Sequence, residues 1–217
     1  MKYNKPDKKQ IEAVRYVENK ARRFFRLLSA PGHGVEHAER VARFAKEIAK
    51  KEGGCAWVCE IAGWLHDIGR TGEYFNNPEK KSHHELSFEL LREWFKKDKK
   101  LHGFFTSREQ EELLYSVRYH FDDAACDYKS ALILRDADKL DLLGARGIDR
   151  FFEVDTALDN TQRCIWFLIN MLRGERLGTN IAREIAEKNN LYDPFLVWIK
   201  NHLPKKRRVL CALSGGV

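Results

Sequence analysis

The thirteen residues from Cys55 to Asp67, CAWVCEIAGWLHD, carry one charged side chain, Glu60, before they close on the adjacent pair His66-Asp67. A helix this apolar on nearly every side has no face to offer water, so it must be enclosed by other elements. Gly69 follows it in the position of a C-terminal cap. Any fold of this chain therefore needs a central helix with amphipathic partners around it.

Those partners are legible as helical periodicity, and no alternating strand pattern or two-residue hairpin competes with them. A first amphipathic helix is expected from about Lys8 to Leu28, ended by Ala30-Pro31-Gly32. A second runs from about Gly34 to Lys51 and stops at Gly53-Gly54. Residues 70–81 contain Gly72, Asn76, Asn77 and Pro78 and are expected to form a loop. Ser82 with Glu85, and Thr106 with Glu109, have the spacing of capping boxes for helices reaching about Lys97 and His120. Further helices are expected over 130–143, 145–158, 161–173, 179–189 and 194–202, the last opened by Asp193-Pro194. The expected architecture is an all-α helical bundle forming a single domain over 1–217. Its motif-bearing core covers about 29–150, helices in 151–203 pack on that core, and 204–217 form a basic tail.

Apolar residues make up 43% of the 217, enough to bury a core and too many for a disordered chain. The uncharged run Cys164–Leu172 is far short of the roughly 20 residues a membrane span needs. The basic N-terminus has no apolar segment followed by a cleavage site, so no secretory signal is read there. The five cysteines are too sparse for a disulfide scaffold, and reduced thiols in a cytoplasmic protein are the expectation. The net charge of +7 is concentrated at the ends: residues 1–28 hold nine Lys/Arg against three Asp/Glu, and 205–208 are all basic. The body is mildly acidic, so a nucleic-acid partner is not expected.

Polar side chains interrupt the buried stripes in a pattern. His37 shares a face with Val41, Phe44, Ala45 and Ile48, and His66 lies on the stripe of Val58, Ala62 and Leu65. His84 lies with Phe88, Leu91 and Phe95, His120 with Leu113 and Val117, and Asp138 with Ala131 and Leu134. One buried histidine is ordinarily a hydrogen-bonded core residue, and one aspartate a cap or half an ion pair. Six such residues on five helices, Asp67 included, point instead to a divalent cation. Burying an unpaired carboxylate costs several kcal/mol, and a metal stabilises several ligands at once. Histidine and aspartate suit Mn, Fe, Zn, Ni or Mg, with imidazole favouring the transition metals. Asp136 rivals Asp138, because it falls on the Leu132, Leu140, Leu143 stripe, and periodicity does not separate the two.

At these residues the chain resembles a known family. H-x-x-R-V from His37, L-H-D-I-G from Leu65 and A-D-K-L from Ala137 look like the HD-domain metal-dependent phosphohydrolases; H-H-E-L-S from His83 and R-Y-H from Arg118 resemble its small bacterial members. The resemblance implies that His37, His66, Asp67 and Asp138 bind the metal and selects Asp138 over Asp136. It implies that His84 and His120 bind a second ion or line the substrate pocket; one ion rather than two is the expectation. His33 fits the histidine often found four residues before the first ligand, although Gly34 replaces the acidic residue that commonly follows it. His83 is read as a residue of the helix N-terminus.

Arg40, Arg70 and Lys139 lie beside these positions, where a cation can hold a phosphate. The implied activity is hydrolysis of a phosphoester or phosphoanhydride by metal-activated water, with His66 and Asp67 at its centre and a small phosphorylated molecule, a nucleotide, as substrate. Two alternatives stand beside it: a di-iron oxygenase on the same fold, and a non-catalytic nucleotide-binding regulator. The oligomeric state is left open by the sequence.

Overall fold

A computed structural model describes residues 5–27, 32–70, 78–122, 124–154, 169–170 and 177–202. Among them the regular elements are ten helices and no strand: α1 (Lys8–Leu27), α2 (Val35–Glu52), α3 (Ala56–Leu65), α4 (His83–Lys97), α5 (Lys99–Phe104), α6 (Ser107–Tyr119), α7 (Lys129–Asp141), α8 (Gly144–Val154), α9 (Asn180–Lys188) and α10 (Asp193–His202). The all-α expectation holds. The helix expected over 161–173 lies, apart from residues 169–170, outside the described residues, as do the tail 204–217 and Cys164 and Cys211.

The apolar helix α3 is the hub, packing against α1, α2, α6 and α7. Of its ten residues, eight are buried. Its closest approach is to α2, where a Cβ on Gly63 would lie 2.4 Å from the Cα of Ala42 and 2.5 Å from its nitrogen. The small residues Ala38, Ala42 and Ala49 on α2 leave room for this contact, and Val41, Ala45 and Ile48 fill the core beside it. Helix α1 contributes Ala13, Val17, Ala21 and Phe25, a strict i, i+4 stripe buried to 3% exposure or less. Helix α4 packs on α6; α9 packs on α2 and α7, and α10 on α8.

The helix ends are where the sequence expectations need correcting. Gly53 closes α2 in the left-handed conformation, φ +83°, its N–H donating to the Ala49 carbonyl. Gly69 does not cap α3, which ends at His66 in ordinary right-handed geometry. Gly69 is required by proximity: a Cβ there would meet the Ser87 nitrogen at 2.3 Å and the His83 carbonyl oxygen at 2.4 Å. Thr106 and Glu109 form both halves of a capping box. Ser82 accepts from the Glu85 N–H at 3.4 Å, but the Glu85 carboxylate turns to Arg118, at 3.0 and 3.2 Å. The short helix α5 was not expected. Asp98 caps it through the Leu101 N–H (3.0 Å) and also accepts from Lys20 and Tyr16, both at 2.8 Å.

Candidate metal centre

Five helix ends converge at one end of the bundle. His37 lies in the first turn of α2, His66 and Asp67 at the end of α3, His83 and His84 in the first turn of α4, His120 at the end of α6, and Asp138 in the last turn of α7. The alternating directions of these helices bring residues 100 positions apart into one cluster.

The hydrogen-bond partners of three imidazoles aim them. His66 Nδ1 is 2.9 Å from the Gly63 carbonyl oxygen and His120 Nδ1 is 2.9 Å from that of Val117. A carbonyl oxygen only accepts, so both rings carry the proton on Nδ1 and present a bare Nε2. His37 Nδ1 is 2.8 Å from Asp141 Oδ2. Its Nε2 faces His66 Nε2 at 3.1 Å. Around this pair, Asp67 Oδ2 is 3.5 Å from both His37 Nε2 and His66 Nε2, and Asp138 Oδ1 is 3.4 Å from His37 Nε2 and 3.8 Å from His66 Nε2. These are lone pairs directed at lone pairs, an arrangement that needs a proton or a metal cation between them.

The electrostatics agree. Burial disfavours charge on Asp67, yet His66, His37 and Arg70 hold its carboxyl well below the usual carboxylate range. Asp138 is likewise held low against burial by His66, His37 and Arg150. Burial pushes His66 and His33 down to about 4, His84 to about 3 and His83 to about 2, leaving neutral rings able to ligate. His37 goes the other way, because the surrounding carboxylates Asp141, Asp67 and Asp138 favour positive charge on its ring by more than burial disfavours it.

Among the described residues, three donor sets therefore offer atoms within 4.8 Å of one another: His37, His66 and Asp138; His66, Asp67 and His120; and His83, His84 and His120. This donor chemistry, imidazole nitrogen with carboxylate oxygen, fits a divalent transition metal. His84 Nδ1 is buried and has no hydrogen-bond partner, which a cation would supply.

All six polar residues singled out on apolar faces are brought into this cluster. His83, expected to be only a helix-terminal residue, joins them: its ring nitrogen is 3.6 Å from Asp67 Oδ1. The buried edge of α4 runs through His83, Ser87, Leu91 and Phe95, keeping Leu91 and Phe95 of the expected stripe and replacing His84 and Phe88 by their preceding neighbours. His33 is also inside, 3.8 Å from Asp67 Oδ2. Asp136 points away and accepts from the Gly178 and Thr179 N–H groups and the Thr179 hydroxyl, so it anchors Thr179, the N-cap of α9. Arg70 contacts Asp67 Oδ1 at 3.3 Å, and Lys139 is half-buried beside Asp138. Arg40 directs its guanidinium at Asp141, at 2.5 and 3.1 Å.

Two participants escaped the sequence reading. Asp141 lies three residues beyond Asp138, on the same side of α7, and that spacing was the available signal. Arg150, buried in α8 with 5% exposure, reaches Asp141 at 2.8 Å and the Gly32 carbonyl at 2.9 Å, and nothing in its local sequence marked it.

The model of the HD domain matches residues 34–143, half of the chain, and takes in every member of the three donor sets. No curated protein matches the sequence. Among solved structures, a predicted HD-superfamily hydrolase from an uncultured Thermotogales bacterium is 26% identical over 86% of this chain and 89% of its own, with a TM-score of 0.62. Bacillus subtilis YpgQ, solved in complex with ADP, shares the fold at 18% identity and a TM-score of 0.67, over 91% of this chain and 98% of its own. An HD-superfamily hydrolase from Bacillus thuringiensis is 21% identical over 88% of this chain and 95% of its own, with a TM-score of 0.64.

Proposed function

The chain belongs to the HD-domain family, and from that premise we propose that it is a metal-dependent phosphohydrolase acting on a nucleotide. The observation that carries this reading is the 3.1 Å approach of His37 Nε2 and His66 Nε2, two acceptors whose other nitrogens are already committed. His37, His66, Asp67 and Asp138 would hold one divalent ion. Such an ion, when bound, lowers the pKa of a water from 15.7 toward about 7 and withdraws charge from a phosphoryl oxygen.

The remaining work falls to the chain's own groups. Asp67 would orient the attacking water, and its low pKa keeps it a carboxylate, an acceptor, at neutral pH. Arg70, anchored on Asp67, and Lys139, next to Asp138, place cations where phosphate oxygens gain charge during the reaction. Arg40, with its guanidinium on Asp141, is better suited to supporting the site than to binding phosphate. His84 and His120 would contact the substrate phosphate. A nucleotide is favoured because a relative of the same fold was solved with ADP.

One observation favours a second reading of the metal content: the unpartnered His84 Nδ1 within the His83, His84 and His120 set suits a second ion. A paired site would also suit the oxygenase chemistry. The test is release of phosphate or pyrophosphate from a panel of nucleotides with Mn, Mg, Ni or Zn, using Asp67→Ala as the control. Release by the native protein that Asp67→Ala abolishes supports hydrolysis. Absence of release with every metal, together with oxygen consumption by the iron-loaded protein, would replace it with the oxygenase.

A further inference from the structure

We infer that Asp141, clamped between Arg40 and Arg150, is a positioning residue that locks His37 in its metal-binding tautomer. This rests on the metal-centre reading given above and adds a residue to it that lies outside the ligand set.

The direction of the bond follows from its neighbours. Asp141 Oδ2 lies 2.8 Å from His37 Nδ1, 2.8 Å from Arg150 Nη1 and 3.1 Å from Arg40 Nη2, while Oδ1 takes Arg40 Nε at 2.5 Å. A guanidinium has five donors and no acceptor, and it stays charged. A carboxylate between two of them is ionised and can only accept. His37 Nδ1 must therefore donate. Its lone pair lies on Nε2, toward His66, Asp67 and Asp138. The clamp draws on three separate segments: Arg40 from α2, Asp141 from α7, and Arg150 from α8, which is also tied to the Gly32 carbonyl just before α2. Asp141 and Arg150 are buried, at 3% and 5% exposure, so water does not compete for these bonds.

Arg150 Nη2 also stands 3.5 Å from His37 Nε2, at the outer limit of a hydrogen bond. Arg150 donates there, which marks Nε2 as the acceptor nitrogen of the ring, and Asp141 and Gly32, which hold the other guanidinium nitrogens, keep that bond long. Without Asp141, the imidazole is free to rotate or change tautomer and the arginine is free to close on the lone pair and compete with a metal for it. Asparagine at 141 makes the sharpest perturbation. Its amide can donate to Nδ1, which puts a proton on Nε2 where the metal should be. Partners of this kind on a ligating histidine are worth about 10–100-fold in metal affinity.

The experiment has two arms on the full chain. In the first, Mn2+ binding is titrated for the native protein, Asp141→Asn and Asp136→Asn. Asp136 is a similarly buried carboxylate five residues earlier on α7 that anchors the residues opening α9, so its loss reports only on damage to the fold. The expected result is Mn2+ binding about 10–100-fold weaker in Asp141→Asn and within twofold of native in Asp136→Asn, although both melt earlier. Equal affinity for native and Asp141→Asn, or equal weakening in the two variants, would overturn the inference. If Asp141→Asn does not fold, Arg40→Gln takes its place, with a several-fold loss expected and none overturning the proposal.

The second arm reads the tautomer in the metal-free native protein by long-range proton–nitrogen NMR correlation. A protonated Nδ1 on His37 supports the inference, and a bare Nδ1 with a protonated Nε2 overturns it. A native protein that binds no Mn2+ would count against the metal-centre reading alone, since the NMR arm still decides the role of Asp141.

Discussion

Ser87 accepts the backbone N–H of Gly69 through its hydroxyl at 2.8 Å, and this bond joins the end of α3 to the first turns of α4. Both residues are buried. The contact sets how far His83 and His84 stand from His66 and Asp67, because it leaves no room for a side chain on residue 69.

Ser87→Ala should therefore leave a buried N–H without a partner, a loss of about 1–3 kcal/mol in unfolding free energy. Denaturant titration checks it. Ser87→Cys, with a weak acceptor of similar size, should lose less than Ser87→Ala, and a loss below a few tenths of a kcal/mol in Ser87→Ala would show that water takes the place of the hydroxyl.

Gly63→Ala drives a methyl group into the backbone of α2 at Ala42. Neither helix can yield there without moving the core, so a destabilisation of about 2–3 kcal/mol or more is expected. The same shift displaces the Gly63 carbonyl that His66 Nδ1 donates to, so Mn2+ affinity should fall together with the melting temperature. A variant that melts earlier but binds Mn2+ as the native protein does would separate the packing from the site.

His84→Ala and His120→Ala distinguish one ion from two. With a single ion at His37, His66, Asp67 and Asp138, both variants should retain the native metal content and show a raised KM. Loss of one equivalent out of two, measured by elemental analysis after dialysis, would establish a paired centre. It would also revive the oxygen-activating alternative, since that chemistry needs two irons.

Asp98 predicts a pH dependence remote from the metal. Burial disfavours its charge, but Lys20, the Leu101 N–H and Tyr16 hold its carboxyl down at about 2, against 3.8 ordinarily. A depressed carboxyl gives stability that is full above the unfolded value and is lost as pH falls through the folded one. With 15% of the side chain exposed, the contribution is about 1–2 kcal/mol after screening. Asp98→Ala should thus be less stable than native by that amount at pH 7, with the gap closing between about pH 4 and pH 2. A gap that stays constant over that window would mean that Asp98 acts through packing alone.

The sequence by itself determined the helical class, the central position of α3 and, Asp138 apart, the side chains that meet at its end. Each of these follows from local periodicity: an apolar helix has to be enclosed, and a histidine or aspartate on a buried stripe has to face inward. Tertiary structure alone decided the rest. Asp136 and Asp138 are indistinguishable along α7 until Gly178 and Thr179, some forty residues away, arrive to claim the first. Gly69 has the sequence signature of a cap, but its need for a missing side chain arises from Ser87 on another helix. His83 enters the cluster because the first two turns of α4 bury His83 and Ser87, while Leu91 and Phe95 stay on the stripe its apolar residues suggest. Arg150 is invisible in sequence because its partners, Gly32, His37 and Asp141, come from two other segments. Periodicity records which way a side chain points on its own helix. Which atoms it meets there depends on how the helices are docked, and that is set by close contacts such as Gly63 on Ala42 that no single segment contains.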